Sequence, residues 1–133
     1  MVDYVTPRQT TSILVAETET TARVSLSELL RDEGYLVVEA ADSGSALVHL
    51  SRDQTIKIVL ADLEMPSWTS IIQHTRVNLP NSFILGMVRY GALSNAYQAQ
   101  RLGANTHLVK PISFAEVNHW IRHYLTGGSQ IKR

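Results

Sequence analysis

The 133-residue chain contains no cysteine, which excludes disulfide staples, thiol nucleophiles and cysteine-ligated zinc. It carries no net charge, since twelve lysines and arginines balance twelve aspartates and glutamates, so the basic excess of a nucleic-acid surface is missing. No apolar run approaches the ~20 residues that span a bilayer. The start, Met1 to Arg8, shows no basic head followed by an apolar stretch. A cytoplasmic domain without membrane or nucleic-acid contacts is the expectation. No Gly-rich phosphate loop follows the first apolar run, where Glu17-Thr18-Glu19-Thr20 stands, and no Gly-x-Ser-x-Gly elbow occurs. Those absences speak against a dinucleotide enzyme and a serine hydrolase. What is there is a 44% hydrophobic, 18% charged composition, ordinary for one packed domain of about 100–200 residues.

Two kinds of segment alternate along the chain. Short apolar, β-branched runs cover residues 13–16, 36–38, 56–60, 83–88 and 107–109. Most are continuous rather than alternating, the pattern of strands covered on both faces. Helical periodicity lies between them. Ala22, Leu26, Leu29 and Leu30 form one stripe, and Ser43 is placed to cap a helix carrying Ala46, Leu47 and Leu50. Two further helices are expected over residues 69–77 and 92–102. A fifth is capped by Ser113 with Glu116 three residues on, and its face carries Phe114, Val117, Ile121, Tyr124 and Leu125. Residues 1–11 and 127–133 are expected to be a flexible lead-in and a polar tail around a domain at 12–126. Five strand–helix pairs in strict alternation predict an α/β fold: a doubly wound, five-stranded parallel sheet of the flavodoxin-like kind.

In such sheets chemistry collects where the strands end at their carboxyl side, near the switch in strand order. The residues there are Glu17-Thr18-Glu19, Ala40-Ala41-Asp42, Asp62, Val88-Arg89 and Lys110-Pro111. Acids and cations from distant parts of the sequence thus converge on one cleft.

Over residues 12–126 the sequence resembles a response-regulator receiver domain of two-component signalling. Val59-Leu60-Ala61-Asp62-Leu63-Glu64-Met65-Pro66 matches the family's phosphoacceptor signature, and Leu102-Gly103-Ala104-Asn105 through Lys110-Pro111 matches its strand-five lysine and proline. The resemblance implies the (βα)5 receiver fold, with Asp62 as phosphoacceptor and Lys110 contacting the phosphoryl oxygens. It also implies a Lys–Pro bond that is usually cis, and Mg²⁺ held by Glu17, Asp62 and the backbone carbonyl of Glu64. The implied partners are a histidine kinase or phosphotransfer protein upstream, an output domain or effector protein downstream, and a second copy as a possible homodimer. Signalling by contact, not enzymatic turnover, is the expected activity.

The chain departs from the family at several of these positions. Thr18 replaces the second carboxylate of the metal-binding pair. Val88 stands where a switch hydroxyl is usual, Arg89 follows it in place of a small residue, and His107 replaces the usual strand-five aromatic. With Glu17 and Asp62 set against Lys110 and Arg89 the pocket counts near zero charge. At about 4 Å and an effective dielectric of 20, unit charges interact by roughly 4 kcal/mol, so such groups choose partners. Arg89 is therefore expected to bridge to Asp62 or Glu17, or else to swing into solvent as long side chains often do, and Mg²⁺ binding is expected to be weak. Val88, lacking a hydroxyl, is expected to mute any response to phosphorylation.

Trp120 lies beside the fifth helical stripe, which suggests a partner face formed with Tyr97 and His107, or else a rim residue shielding the core. Trp68 is read as a lid over the site or a docking residue. His119 and His123 read as surface histidines, since no third metal ligand accompanies them. Two readings stay open: a phosphorelay receiver acting through Asp62, and a phosphorylation-independent pseudo-receiver that docks or dimerises. The sequence leaves open whether such a domain stands alone or belongs to a larger regulator.

Overall fold

The computed structural model describes residues 10–127. Five strands alternate with five helices: β1 (Ser12–Ala16), α1 (Thr20–Asp32), β2 (Leu36–Ala40), α2 (Ser43–Arg52), β3 (Ile56–Asp62), α3 (Trp68–Asn78), β4 (Phe83–Val88), α4 (Leu93–Leu102), β5 (Thr106–Val109) and α5 (Phe114–Leu125). The strands form one sheet in the order β2-β1-β3-β4-β5. Every neighbouring pair is parallel. The strand order reverses beside β1, which places the ligand-binding crevice above β1 and β3.

The continuous apolar runs are explained by burial on both faces. In β1, Ile13 and Val15 enter one core cluster with Leu26, Leu30, Val117 and Ile121, the face covered by α1 and α5. Leu14 and Ala16 enter the other, with Ala46, Leu50, Ile71, Ile72, Ala96 and Ala99 from α2, α3 and α4. Residue parity along a strand thus decides which helix layer a side chain meets.

Several local expectations shift. Asp42, not Ser43, caps α2, accepting from the Ser45 N–H at 2.8 Å, while the Ser43 hydroxyl donates to the Pro66 carbonyl at 2.5 Å. In α1, Leu26, Ser27 and Leu30 are buried, but Ala22 and Leu29 are exposed beside a groove facing the β5–α5 connection. Ser113 does cap α5, its Oγ accepting from the Glu116 N–H. Thr11, assigned to the lead-in, is buried and accepts from the Leu36 N–H at 3.1 Å. The rest of the expected lead-in, residues 1–9, and residues 128–133 of the expected tail lie outside the described residues. No described helix is long and apolar enough to cross a membrane.

The amino-terminal edge of the sheet is tied by one arginine. Arg76, in the last turn of α3, donates from Nε to the Gly103 carbonyl at 2.8 Å, from Nη1 to the Ser82 carbonyl at 2.7 Å and from Nη2 to Asn105 Oδ1 at 2.7 Å. Asn105 Oδ1 also accepts the Ile84 N–H at 2.7 Å, so the cage registers β4 against the α4–β5 turn. Gly103 sits at φ 122°, and a Cβ there would meet Arg76 Cγ at 2.6 Å. Truncation, Arg76→Ala, removes these three bonds and strips the Gly103 and Ser82 carbonyls of their arginine donor, while Asn105 Oδ1 keeps the Ile84 N–H. At ~0.5–1.5 kcal/mol per hydrogen bond it is expected to destabilise the fold by roughly 2–3 kcal/mol, measured by urea unfolding.

Candidate functional site

Sheet register builds the site. Ala16 of β1 pairs with Ala61 of β3, so the next residues, Glu17 and Asp62, emerge side by side at the switch in strand order. Asp62 in turn pairs with Met87 of β4, and Val88 pairs with Val109 of β5. The Lys110 N–H continues that ladder to the Val88 carbonyl at 2.8 Å, which fixes the root of the lysine side chain. The Lys110–Pro111 peptide is cis.

From that root Lys110 Nζ reaches Asp62 Oδ1 at 2.9 Å and Glu17 Oε1 at 3.1 Å. Both carboxylates are buried, 1% exposed for Asp62 and 3% for Glu17, while Lys110 keeps a quarter of its side chain in solvent. Backbone donors finish the arrangement. Asp62 Oδ1 accepts the Glu64 N–H at 2.9 Å, Oδ2 accepts the Thr18 N–H at 3.2 Å, and Glu17 Oε2 accepts the Glu19 N–H at 2.9 Å. Arg23 of α1 donates to the Glu17 carbonyl at 3.0 Å and pairs with Glu39 of β2, which anchors the β1–α1 loop from below.

The two acids respond differently to this environment. Burial pushes the Glu17 carboxyl above its ordinary range, and the Asp62 charge adds to that push against the pull of the Glu19 N–H and Lys110. Burial also works against the Asp62 charge, but the Lys110 hydrogen bond and the Glu64 and Thr18 N–H donors outweigh it and hold that carboxyl low. Lys110 is pushed down by burial and raised further by its two carboxylates, chiefly Asp62, so it stays an ammonium. Asp62 is therefore the acid held ionised, and Glu17 the one that protonates first.

The sequence reading places Glu17, Asp62 and Lys110 correctly as neighbours, but not Arg89. Its guanidinium bridges neither Asp62 nor Glu17; Nε pairs with Glu64 Oε1 at 3.0 Å on the rim, with 65% of the side chain in solvent. Lys110 already satisfies both buried acids, and drawing a second cation inward would strip its water without a free partner. The inner pocket therefore holds two carboxylates against one cation, not a neutral count. Thr18 is exposed but supplies the N–H that faces Asp62.

Val88 is fully buried in the cluster facing α3 and α4. His107 is half-buried opposite Gly86, and among the described residues its Nδ1 has no hydrogen-bond partner. Tyr97 is 54% exposed on α4. Trp120 is half-buried: its ring stacks on Phe83 with centroids 6.2 Å apart and packs against the α1–α5 cluster, the placement of the rim residue that the sequence offered as its second reading. Trp68 opens α3 and is half-buried against the cluster facing α2, α3 and α4. The sequence reading missed the Arg23 anchor, whose one signal was an arginine a turn after the acidic loop.

Among the described residues no cluster of three or more potential ligands forms a metal cage. The oxygen donors at the switch point, Glu17, Asp62 and the Glu64 carbonyl, are nonetheless of the kind that a hard divalent cation takes. Both carboxylates already converge on one ammonium, so the donor set fits such a cation, with Lys110 competing for it.

A sequence model of the response regulator receiver domain matches residues 13–122. The chain is 29% identical over 115 residues to sporulation initiation phosphotransferase F of Bacillus subtilis, covering 85% of this chain and 92% of that protein. Of other curated relatives it spans about half the length or less, 55% of PdtaR of Mycobacterium tuberculosis and 21% of FleR of Pseudomonas aeruginosa. Its fold superposes on a receiver domain protein from Methanospirillum hungatei with a TM-score of 0.82 at 22% identity, covering 90% of this chain and 97% of that one. A Burkholderia pseudomallei response regulator solved with a phosphorylated aspartic acid and a calcium ion superposes with a TM-score of 0.78 at 22% identity, over 90% and 71% of the respective chains.

The pH dependence of the site follows from its pKa directions. Asp62 is held below its ordinary 3.8, so its stabilising share is present above that value and is lost as pH falls through the lowered one. Lys110 is raised above 10.5, so its share is lost only as pH rises past the raised value. Glu17 runs the other way, favouring the folded state more as it protonates. Carbon-13 NMR titration of the carboxyl groups is expected to show Glu17 protonating before Asp62 on acidification. In Lys110→Ala both should titrate at higher pH, and in Asp62→Asn the Glu17 transition should move down.

Proposed function

Since this chain belongs to the response regulator receiver domain family, we propose that Asp62 accepts a phosphoryl group from a histidine kinase or phosphotransfer protein. One observation carries the reading: a buried carboxylate kept ionised by an ammonium 2.9 Å away, at the carboxyl end of the central strands. In the transfer an Asp62 oxygen forms a bond to phosphorus. The bond from phosphorus to the donor's nitrogen or oxygen breaks, and the leaving atom takes the bonding pair. Oδ2 is the freer oxygen, taking the longer 3.2 Å bond from the Thr18 N–H, whereas Oδ1 accepts both Lys110 Nζ and the Glu64 N–H at 2.9 Å. A loose, highly charged transition state needs positioning and charge neutralisation more than covalent help. Lys110 supplies the cation from a root fixed by the β4–β5 ladder.

Receiver domains generally bind Mg²⁺ at the phosphorylation site, and here Glu17, Asp62 and the Glu64 carbonyl would hold it. When bound it adds positive charge beside the transferring group. With Thr18 in place of a third carboxylate and Lys110 already between the two acids, we expect a dissociation constant of about 1 mM or weaker, read by isothermal titration; sub-millimolar binding would contradict this account of the pocket.

Val88 bears on the conformational response to the transfer. Its methyl groups fill the α3–α4 core, so strand β4 has no hydroxyl to pull toward a phosphoryl oxygen. A second reading, docking without phosphorylation, rests on a different observation: Tyr90, Leu93, Tyr97 and Val109 leave apolar surface exposed on α4, β5 and the loop between β4 and α4. Incubation with a small phosphodonor and Mg²⁺, followed by intact mass, separates the two. One added phosphoryl group that Asp62→Asn abolishes is expected; no addition would leave docking as the function. In the phosphorylated protein, backbone amide shifts of β4 and β5 are expected to change little. Val88→Thr is expected to enlarge those changes.

A further inference from the structure

Arg89 and Glu64 face each other across the mouth of the Asp62 pocket, and the proposed reaction leaves both side chains unused. Glu64 is bound to the site through its backbone, since its N–H holds Asp62 Oδ1 at 2.9 Å while its side chain turns outward to Arg89 at 3.0 Å. Arg89 leaves the same rim from β4, one residue past the Val88 carbonyl that anchors Lys110 and two past Met87, the register partner of Asp62. Among the described residues the guanidinium makes a hydrogen bond only through Nε, leaving four N–H donors for another acceptor.

We propose that Arg89 is the phosphoryl-sensing side chain of this protein: Glu64 holds it while Asp62 is free, and a phosphoryl group on Asp62 draws it away. The inference rests on the phosphoacceptor reading above. Three observations support it. The free pocket holds two buried carboxylates against Lys110, and a phosphoryl group carries a charge of about −1.5 to −2 where the free carboxylate carried −1. Lys110 already divides its ammonium between two acids, so among the described residues no second side-chain cation inside the pocket meets the added charge. An exposed ion pair such as Arg89–Glu64 is worth little, so exchanging it costs little, while a guanidinium pairs with phosphoryl oxygens through two parallel donors.

Arg89 then does from the rim what Val88 cannot do from the strand. The consequence is local and electrostatic. Glu64 loses its cation and the β4–α4 loop is pulled toward the site, while the packed core behind Val88 stays as it is. The surface change falls next to Tyr90, the most exposed large side chain of that loop, 87% in solvent.

The experiment uses beryllofluoride with Mg²⁺, a non-covalent phosphoryl mimic, on the full chain and on Arg89→Ala, Arg89→Lys, Glu64→Gln and the Glu64→Gln/Arg89→Ala double variant. NMR supplies the apparent affinity for the mimic and the position of the Arg89 Nε–H resonance. In the parent chain that resonance is expected to move on loading. Arg89→Ala should weaken binding about tenfold, Arg89→Lys should retain part of the loss, and Glu64→Gln, which removes the competing acid, should tighten it about threefold. The double variant should match Arg89→Ala, because the Glu64 side chain acts only through Arg89. An unmoved Nε–H signal, or an Arg89→Ala affinity equal to the parent's, overturns the proposal while leaving Asp62 as acceptor. If the parent takes up neither the mimic nor a phosphoryl group and behaves as Asp62→Asn does, the phosphoacceptor reading falls, and this inference with it.

Discussion

One ammonium shared by two buried carboxylates is the constraint around which the site is organised. Glu17 and Asp62 emerge from adjacent parallel strands, where nothing but register sets their spacing, and both are almost wholly removed from water. Without Lys110 between them the strand ends would present two like charges in a medium that screens them poorly. The lysine crosses over β4 to reach them, so its position depends on the β4–β5 ladder and hence on the packing of the whole far side of the sheet. The charge arrangement and the fold are therefore coupled: strand register sets the two carboxylates side by side, and the β4–β5 ladder that roots Lys110 brings the cation that both of them share.

That coupling explains why so much of the site was legible beforehand. Parity along a parallel strand is rigid, so a polar residue directly after an apolar run stands at the strand end, and Glu17, Asp62 and Lys110 are such residues. The proposed phosphoryl transfer needs an oxygen nucleophile and a cation together, and strand register brings Asp62 and the root of Lys110 to the same edge. The same logic gives the two cores, because continuous apolar runs require a helix layer on each side.

What was not legible has a different physical origin. The partner of Arg89 depends on side-chain reach and desolvation, and an exposed acid two residues past Asp62 outcompetes a buried one for a guanidinium with little reason to leave water. Trp120 lies off the periodic stripe of α5, yet Phe83, distant in sequence, offers a ring to stack on. Pattern within one helix carries no information about what a neighbouring strand presents. The Arg76 cage is hidden for a similar reason: its acceptors are mostly backbone carbonyls, which every residue has, and only the positive φ of Gly103 hints at a close approach.

The contrast between Val88 and Arg89 shows where a signal can still arise in such a site. Val88 is locked in a close-packed cluster, and a packed interior moves in discrete steps or not at all. A ligand shifts a conformational equilibrium only by the difference in its affinity for the two states, and methyl groups offer a phosphoryl oxygen no such difference. A guanidinium on the rim offers one on the proposed reading, because its exposed pair with Glu64 is worth little and a phosphoryl group on Asp62 would compete for it. In the proposed function, a receiver with valine at position 88 therefore need not be silent. On the proposed reading the responsive element lies further out, in surface charge rather than strand packing, where a partner would sense an uncovered acid and a displaced loop rather than a rearranged core.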